Sequence, residues 1–323
     1  MIGSFPHPKP DETLHSLLAR YYNSSIYLNW RAMAKKSFGR QWVYSTTSVP
    51  VGMRYFFEQM ALGMDTLLLE NMTWKEIDVA KKNGFDSVII FAASVEQHGP
   101  ALPEITDTVL GYAEAVDLAK RLGNTLVAPV IRPGLSKHHL GFPGSLTLRP
   151  EVFKGIVEDY IASYVHHGFR RIILSSSHGG NFATMAEVAA EQEKVYPDVC
   201  IIPGGSLEAL DNLLIEMDRL ENQPAGFCGG HACDWETSLM MMVDENYVRR
   251  DELAPGFVGS LQGELLDRFF HCGTRSISDN GVIGDPTGAS AEKGKRYFDI
   301  YQNLQEKIIR TNEREWEQRK HRP

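Results

Sequence analysis

The pattern of apolar and polar positions changes near residue 63. Beyond it, short apolar runs alternate with longer stretches in which apolar side chains return every three or four residues. A short continuous apolar run reads as a strand buried on both faces, and the longer period reads as helix. This predicts strands at Asp86–Ala93, Thr125–Pro129, Arg171–Ser175 and Val199–Pro203. It predicts helices at Asp107–Leu122, Pro150–His167, Phe182–Tyr196, Asp234–Val243 and Glu292 to about Arg319. Pro150 suits a first helical turn, where its missing N–H leaves nothing unsatisfied. Strands alternating with helices imply an α/β fold of three layers, a mostly parallel sheet with helices on both faces. Ligands of such sheets sit beyond the carboxyl ends of the strands.

Residues 1–62 read differently. Pro6, Pro8 and Pro10 extend the chain. Asp11 is placed to cap a helix carrying Leu14, Leu17, Leu18, Tyr21 and Tyr22, and a second helical stretch, Asn29–Phe38, stops at Gly39. The expected organisation is a small helical N-terminal extension, 1–62, followed by one α/β domain, 63–323.

Composition narrows the class. The 323 residues are 43% hydrophobic and 23% charged, which fits neither a disordered chain nor a collagen or coiled coil. Forty-one acidic against 33 basic residues give a net charge of −8. That argues against nucleic acid or an anionic membrane as partner. No apolar run approaches the ~20 residues that span a bilayer, and Met1–Pro10 lacks a signal peptide's apolar stretch. Cys200, Cys228, Cys233 and Cys272 form no CxxC pair. This disfavours a disulfide framework and a cysteine zinc site, and makes the cytoplasm the expected setting.

The candidate chemistry lies just after the predicted strands. In Ser94–Asp107, Glu96 and His98 are two apart and project to one side of an extended segment, and Asp107 returns at a helix start. Together they form a ligand set for a divalent metal, although Asp107 alone is equally a helix cap. In Ser175–Asn181, His178 is free to ligate, two glycines let the backbone approach a ligand, and Asn181 can cap the next helix. In Gly229–Glu236, His231 precedes Asp234, a natural N-cap, and Glu236, which suits the helix dipole; Cys233 reads as a small buried residue. Of the adjacent His138 and His139, one is expected to face a pocket and the other the surface. No GxSxG elbow joins a strand to a helix, and phosphate-loop and dinucleotide motifs are missing. A carboxylate–imidazole cluster that could hold one or two divalent ions remains. Such a pair binds water, lowers its pKa and polarises a carbonyl, which is hydrolase chemistry.

These segments resemble the creatininase family of metal-dependent amidohydrolases. The resemblance covers residues from about 67 to the C-terminal helix. It is carried by Glu70–Glu76, the Ser94–Asp107 run, Phe142–Gly144, His178–Asn181, His231 with Glu236, and Gly281–Pro286. It implies a creatininase-like α/β fold, two divalent metal ions of zinc and/or manganese, and a homo-oligomer, often a hexamer built as a trimer of dimers. Glu96 and His178 would hold one metal and His98 the other, with Asp107 bridging; His231 would pass protons to the leaving nitrogen. Two departures stand out. Creatininases carry a metal-binding carboxylate two residues after the histidine matching His178, where this chain has Gly180. The missing ligand could come from Glu236 or, as second choice, Asp234. Ala101 and Glu104 are also unusual, and are expected to alter substrate access.

The expected catalytic residues are therefore His231 and Glu236, and the expected metal ligands Glu96, His98, Asp107, His178 and Glu236. Ser136, His139, Trp235 and Asn181 are the substrate-binding candidates. The expected reaction is hydrolysis of a C–N bond in a cyclic amide or formamide. The alternatives are a cyclic ketone sugar such as an oxidised inositol, and a partner-recruiting protein. The last rests on residues 5–20 with Phe38 and Gly39, which resemble the start of TniQ/TnsD transposition target-selection proteins without their zinc-binding cysteines.

Overall fold

In a computed structural model, the structure describes residues 66–320. The expected N-terminal helices, the Asp11 cap and the transposition-like segment lie outside these residues. The chain divides into two compact units. Of the described residues, the smaller takes Thr66 and Trp74–Ala80, most of helix α1 (Trp74–Lys82). The larger takes residues 67–73 and 81 onward and holds everything that follows.

Its centre is a four-stranded parallel sheet: β1 (Ser87–Ala92), β2 (Thr125–Val127), β3 (Arg171–Ser176) and β4 (Cys200–Pro203), in the order β2-β1-β3-β4. Every residue of β1 has 0% exposure. This is why its sequence is a continuous apolar run rather than an alternating one. Helix α2 (Thr106–Leu122) connects β1 to β2, α3 (Pro150–His166) connects β2 to β3, and α4 (Phe182–Val195) connects β3 to β4. The first crossover runs one way along the sheet and the next two the other way. Right-handed connections therefore put α2 on one face and α3 with α4 on the other. The contacts agree: α3 packs on α4, while α2 packs on the long C-terminal helix α8 (Ala291–Lys320) and on α6 (Asp234–Asp244). The chain reverses its direction of travel between β1 and β3, so a crevice opens there at their carboxyl ends.

The predicted elements appear with ends moved by two residues or fewer. Three helices are additional: α1, α5 (Leu207–Leu220) and α7 (Glu264–Cys272). Helix α5 is capped by Ser206, whose hydroxyl accepts from the Ala209 N–H at 3.1 Å. Its buried Leu213 and Met217 join Leu239 and Met240 of α6 and Tyr297 and Tyr301 of α8 in a second core. No helix among the described residues is long and apolar enough to cross a membrane.

Candidate metal centre

The loops leaving β1 and β3 and the first turns of α2 and α6 bring five side chains to one buried point: Glu96, His98, Asp107, His178 and Glu236. Glu96 and His98 follow β1 on an extended segment. The His98 Nδ1–H donates to the Glu96 carbonyl at 3.0 Å, so its Nε2 is the bare nitrogen. That atom lies 3.2 Å from Asp107 Oδ1 and 3.7 Å from Glu236 Oε1. His178 follows β3, and its Nε2–H donates to the Leu135 carbonyl at 3.1 Å. This leaves Nδ1 3.1 Å from Glu96 Oε1 and 3.6 Å from Asp107 Oδ2. A backbone carbonyl thus sets the tautomer of each imidazole and turns its lone pair toward carboxylates, as metal-binding histidines require.

Four of the atoms that converge here are buried without a hydrogen-bond partner: both Glu96 carboxylate oxygens, His98 Nε2 and Asp107 Oδ2. Buried charges left this way are costly unless paired or bound to metal. The ligand atoms of Glu96, Asp107 and His178 lie within 4.8 Å of one another. The same holds for His98, Asp107 and Glu236, and for Glu96, His98 and His231. The first two groups share Asp107. The donors are carboxylate oxygen and imidazole nitrogen, a set that suits a borderline divalent cation. The residues present therefore fit a two-metal site.

Electrostatics tie the cluster together. Burial would raise the Glu96 carboxyl, but the imidazoles of His139, His178 and His231 hold it well below its usual range. Burial would lower His98, yet Asp107 and Glu236 lift it well above the ordinary imidazole value. Burial is likewise outweighed at His178, which Glu96 and Asp107 raise to about 9. Burial and the nearby Glu96 push Asp107 up to about 6 against the pull of His98. Without cations, protons on the two histidines neutralise the carboxylates.

The structure explains the departure at Gly180. A Cβ at Gly180 would lie 2.5 Å from Leu135 O and 2.6 Å from His178 Nε2, so no carboxylate side chain fits there. Glu236 comes in from α6 instead, with Oε2 accepting a short hydrogen bond from the Ala232 N–H. Ala232 holds φ 52°, left-handed backbone unusual for a residue with a Cβ, and so aims that amide. Asp234 is not the cap: α6 begins at Asp234, with Cys233 preceding it. Nor does it face the cluster. Its carboxylate pairs with Lys293 Nζ at 3.0 Å and accepts from Tyr297 Oη at 2.8 Å. Ala101 is buried, and neither it nor Glu104 lines the cleft above the centre.

That cleft has a volume of about 160 Å³ and is bordered by Glu96, His178, His231 and Glu236. His139 also borders it, with Nε2 3.4 Å from Glu96 Oε1. The other three substrate-binding candidates do not line it. Ser136 is 0% exposed, shares a short hydroxyl contact with Ser94 and lies 3.4 Å from His178 Nε2, so it braces a ligand. Trp235 stacks on Tyr297 at 5.8 Å within the second core. Asn181 neither caps α4 with its side chain nor reaches the cleft: its amide ties Leu135 N–H to the Ala93 carbonyl. The expectation that one of His138 and His139 faces the surface is also corrected. Both are buried and both line the cleft. Gln97, absent from the candidates, places its side-chain amide 2.9 Å from both His139 Nδ1 and His231 Nε2. His231 Nε2 also lies 2.5 Å from the Gln97 carbonyl, which it can reach only as a donor. Its bare Nδ1 then points toward Glu96, 3.8 Å away. Burial and the charge of His98 lower His231 to about 4.

Comparison with known proteins agrees with this geometry. Residues 70–308 match the creatininase family model, described as creatinine amidohydrolase. A mycofactocin precursor peptide peptidase from Mycolicibacterium smegmatis is 30% identical over 216 residues, covering 65% of this chain and 79% of that protein. A 3-dehydro-scyllo-inosose hydrolase from Thermotoga maritima is 28% identical over 257 residues, covering 75% and 82%. Among solved structures, a mutant creatininase of Zn–Zn type superposes with a TM-score of 0.64 at 24% identity, covering 76% of this chain and 98% of that one. The N-terminal resemblance to transposition proteins finds no support in these matches, and the family match begins at residue 70.

Proposed function

The chain belongs to the creatininase family, and on that footing we propose that Glu96, Asp107 and His178 hold one divalent cation while His98, Asp107 and Glu236 hold a second. By family it is a metal-dependent amidohydrolase that acts on amide or formamide C–N bonds. The observation that carries the metal assignment is the pair of buried ligand triads that share Asp107 and are built around partnerless atoms.

Cations held there would lower the pKa of a bound water and polarise a substrate carbonyl. The chain's own groups bind, orient and move protons. Glu236 is fixed by the Ala232 amide, and His178 by the Leu135 carbonyl. His231, neutral and anchored through Nε2, takes a proton from the attacking water at Nδ1 and returns it to the leaving nitrogen as the C–N bond breaks. Gln97 holds both rings, its backbone carbonyl accepting from His231 Nε2–H and its side-chain amide donating to His139 Nδ1, with the ring centroids 4.2 Å apart.

We assign the cations as zinc and/or manganese; the donor set and the Zn–Zn form of the solved relative support this. The substrate is taken to be a small molecule, the assembly a homo-oligomer of family type and the setting the cytoplasm, the last supported by four free cysteines. Hydrolysis of an oxidised inositol is the second choice, since the family model is described by an amide substrate. Elemental analysis of natively purified protein tests the centre. One to two zinc or manganese ions per chain are expected, falling sharply in Glu96→Gln and Asp107→Asn. Active protein free of metal would overturn it. A screen of cyclic amides, formamides and oxidised inositols then separates the substrate classes.

A further inference from the structure

The walls of the cleft have a chemistry that the centre itself does not require. One wall is aromatic: Phe269 and Phe270 of α7 meet edge-on at 5.0 Å, and His138 lies edge-on to both, at 4.8 and 5.1 Å. Leu207, Leu214 and Ile215 of α5 add further apolar lining. Among the described residues, no lysine or arginine lines the cleft. With His178 neutral as a metal ligand, its charged side chains are all acidic: Glu96, Glu236, Asp211 and Asp218.

The two outer carboxylates differ. Asp218 accepts from the Gly226 and Cys228 amides, at 2.7 Å each, and so holds the glycine-rich turn beside α6. Asp211, two turns nearer the start of α5, lines the cleft from an exposed position and, among the described residues, has no side-chain hydrogen bond or ion pair. Loss of water is all that moves its carboxyl, upward, so no described cationic side chain stands close to it. Meanwhile Glu96, Asp107 and Glu236 offset most of the charge that two divalent cations would bring. An incoming phosphate or carboxylate would thus meet negative side chains and apolar walls, without the basic fork or ammonium that usually fixes such anions.

We propose that this cleft selects an uncharged or cationic amide bearing an aromatic or branched apolar group, with Asp211 receiving the positive end, and rejects phosphorylated or carboxylated substrates. The proposal rests on the metal-centre reading above.

Three hydroxamic acids test it on the zinc-loaded full chain, since a hydroxamate anchors to zinc and leaves the rest of the probe to read the walls. The probes are 4-methyl-, 4-aminomethyl- and 4-carboxybenzohydroxamic acid, measured by isothermal titration calorimetry. The ammonium probe should bind about 10-fold more tightly than the carboxylate probe, with the methyl probe between. Asp211→Asn should narrow the gap between ammonium and methyl probes by roughly 2–5-fold, the size of one exposed ion pair. Phe270→Ser should weaken all three. A carboxylate probe that binds as well as the ammonium probe overturns the proposal, as does an unchanged gap in Asp211→Asn. If zinc is bound but no hydroxamate binds, the metal does not face this cleft and the proposal falls. If the protein takes up no zinc, the metal-centre reading fails first.

Discussion

Removing the cations should make this protein lose stability as pH rises from about 7.5 to 10, and restoring them should abolish the loss. In the metal-free state His178 is 5% exposed and lies 3.1 Å from Glu96 Oε1. Burial works against its charge, but Glu96 and then Asp107 raise it from 6.5 to about 9. The native state therefore binds this proton more tightly than the unfolded chain does. The resulting stabilisation is complete below pH 6.5 and is lost as pH rises through about 9. A gap of about 2.5 in pKa, at roughly 1.36 kcal/mol for each, corresponds to about 3 kcal/mol. His98, lifted by Asp107 and Glu236 against its burial, acts in the same direction. So does Glu114, whose carboxyl is pushed up by burial and by repulsion from Asp107 and Glu236. His138, His139 and His231 are all lowered. Near and below pH 6.5 they are charged in the unfolded chain alone, so they work the other way up to about pH 7.5 and contribute nothing above it.

Divalent cations compete with those protons for the same nitrogens, so the loaded protein escapes the loss. Urea unfolding measures it, with chelator-treated and zinc-loaded protein at pH 7.5, 8.5 and 10 and two probes to check two-state behaviour. Over that range the His178 shift leaves about 2 kcal/mol of its stabilisation to lose; the metal-free protein should lose about 2 kcal/mol or more across the series, and the loaded protein less than about 1. His178→Gln should flatten the metal-free curve by about the same 2 kcal/mol. A metal-free curve that is flat or rises, or a His178→Gln curve parallel to wild type, would refute the reasoning.

Three substitutions test the supporting geometry. Gly180→Ala places a Cβ against Leu135 O and His178 Nε2; it should cost roughly 1–3 kcal/mol in denaturant unfolding and lower bound zinc, and Gly180→Glu should likewise fail to add a ligand. Ala232→Gly relieves left-handed backbone that costs alanine about 1–2 kcal/mol; after the entropy of glycine, roughly 0.5–1 kcal/mol, it should leave the urea midpoint equal or raise it slightly, whereas a drop means that φ 52° is not strained there. Asp234→Ala leaves Lys293, 15% exposed, without its partner; it should cost about 3 kcal/mol while elemental analysis finds the zinc content unchanged, and lost zinc would make Asp234 a ligand after all.

What could be read in the sequence, and what could not, follows from how far each residue's role depends on distant chain. The strands were legible because β1 is buried on both faces, so Val88 to Ala92 must all be apolar whatever packs against them. The ligand loop was legible for a related reason. Glu96 and His98 sit two apart on extended backbone at a strand end, and local geometry alone turns both toward the crevice where the sheet reverses direction. Helix α5 was readable from its Ser206 cap and its apolar spacing, yet lies outside the strand-to-helix alternation that organised the rest. The substrate-binding candidates failed where tertiary partners decide. Trp235 shares a helical turn with Glu236 but faces the other way, onto Tyr297 and Tyr301 of a helix some sixty residues on. His138 is drawn inward by Phe269 and Phe270 of α7, a helix that no feature of its own loop announces. Gly180 shows the limit most clearly. Its spacing from His178 signals a lost ligand, but the side-chain space there is closed by Leu135 and His178 themselves. A ligand set belongs to a volume, not to a motif: once backbone fills one approach to the second site, a carboxylate on another element can complete it, and the left-handed turn at Ala232 is what holds Glu236 in that approach.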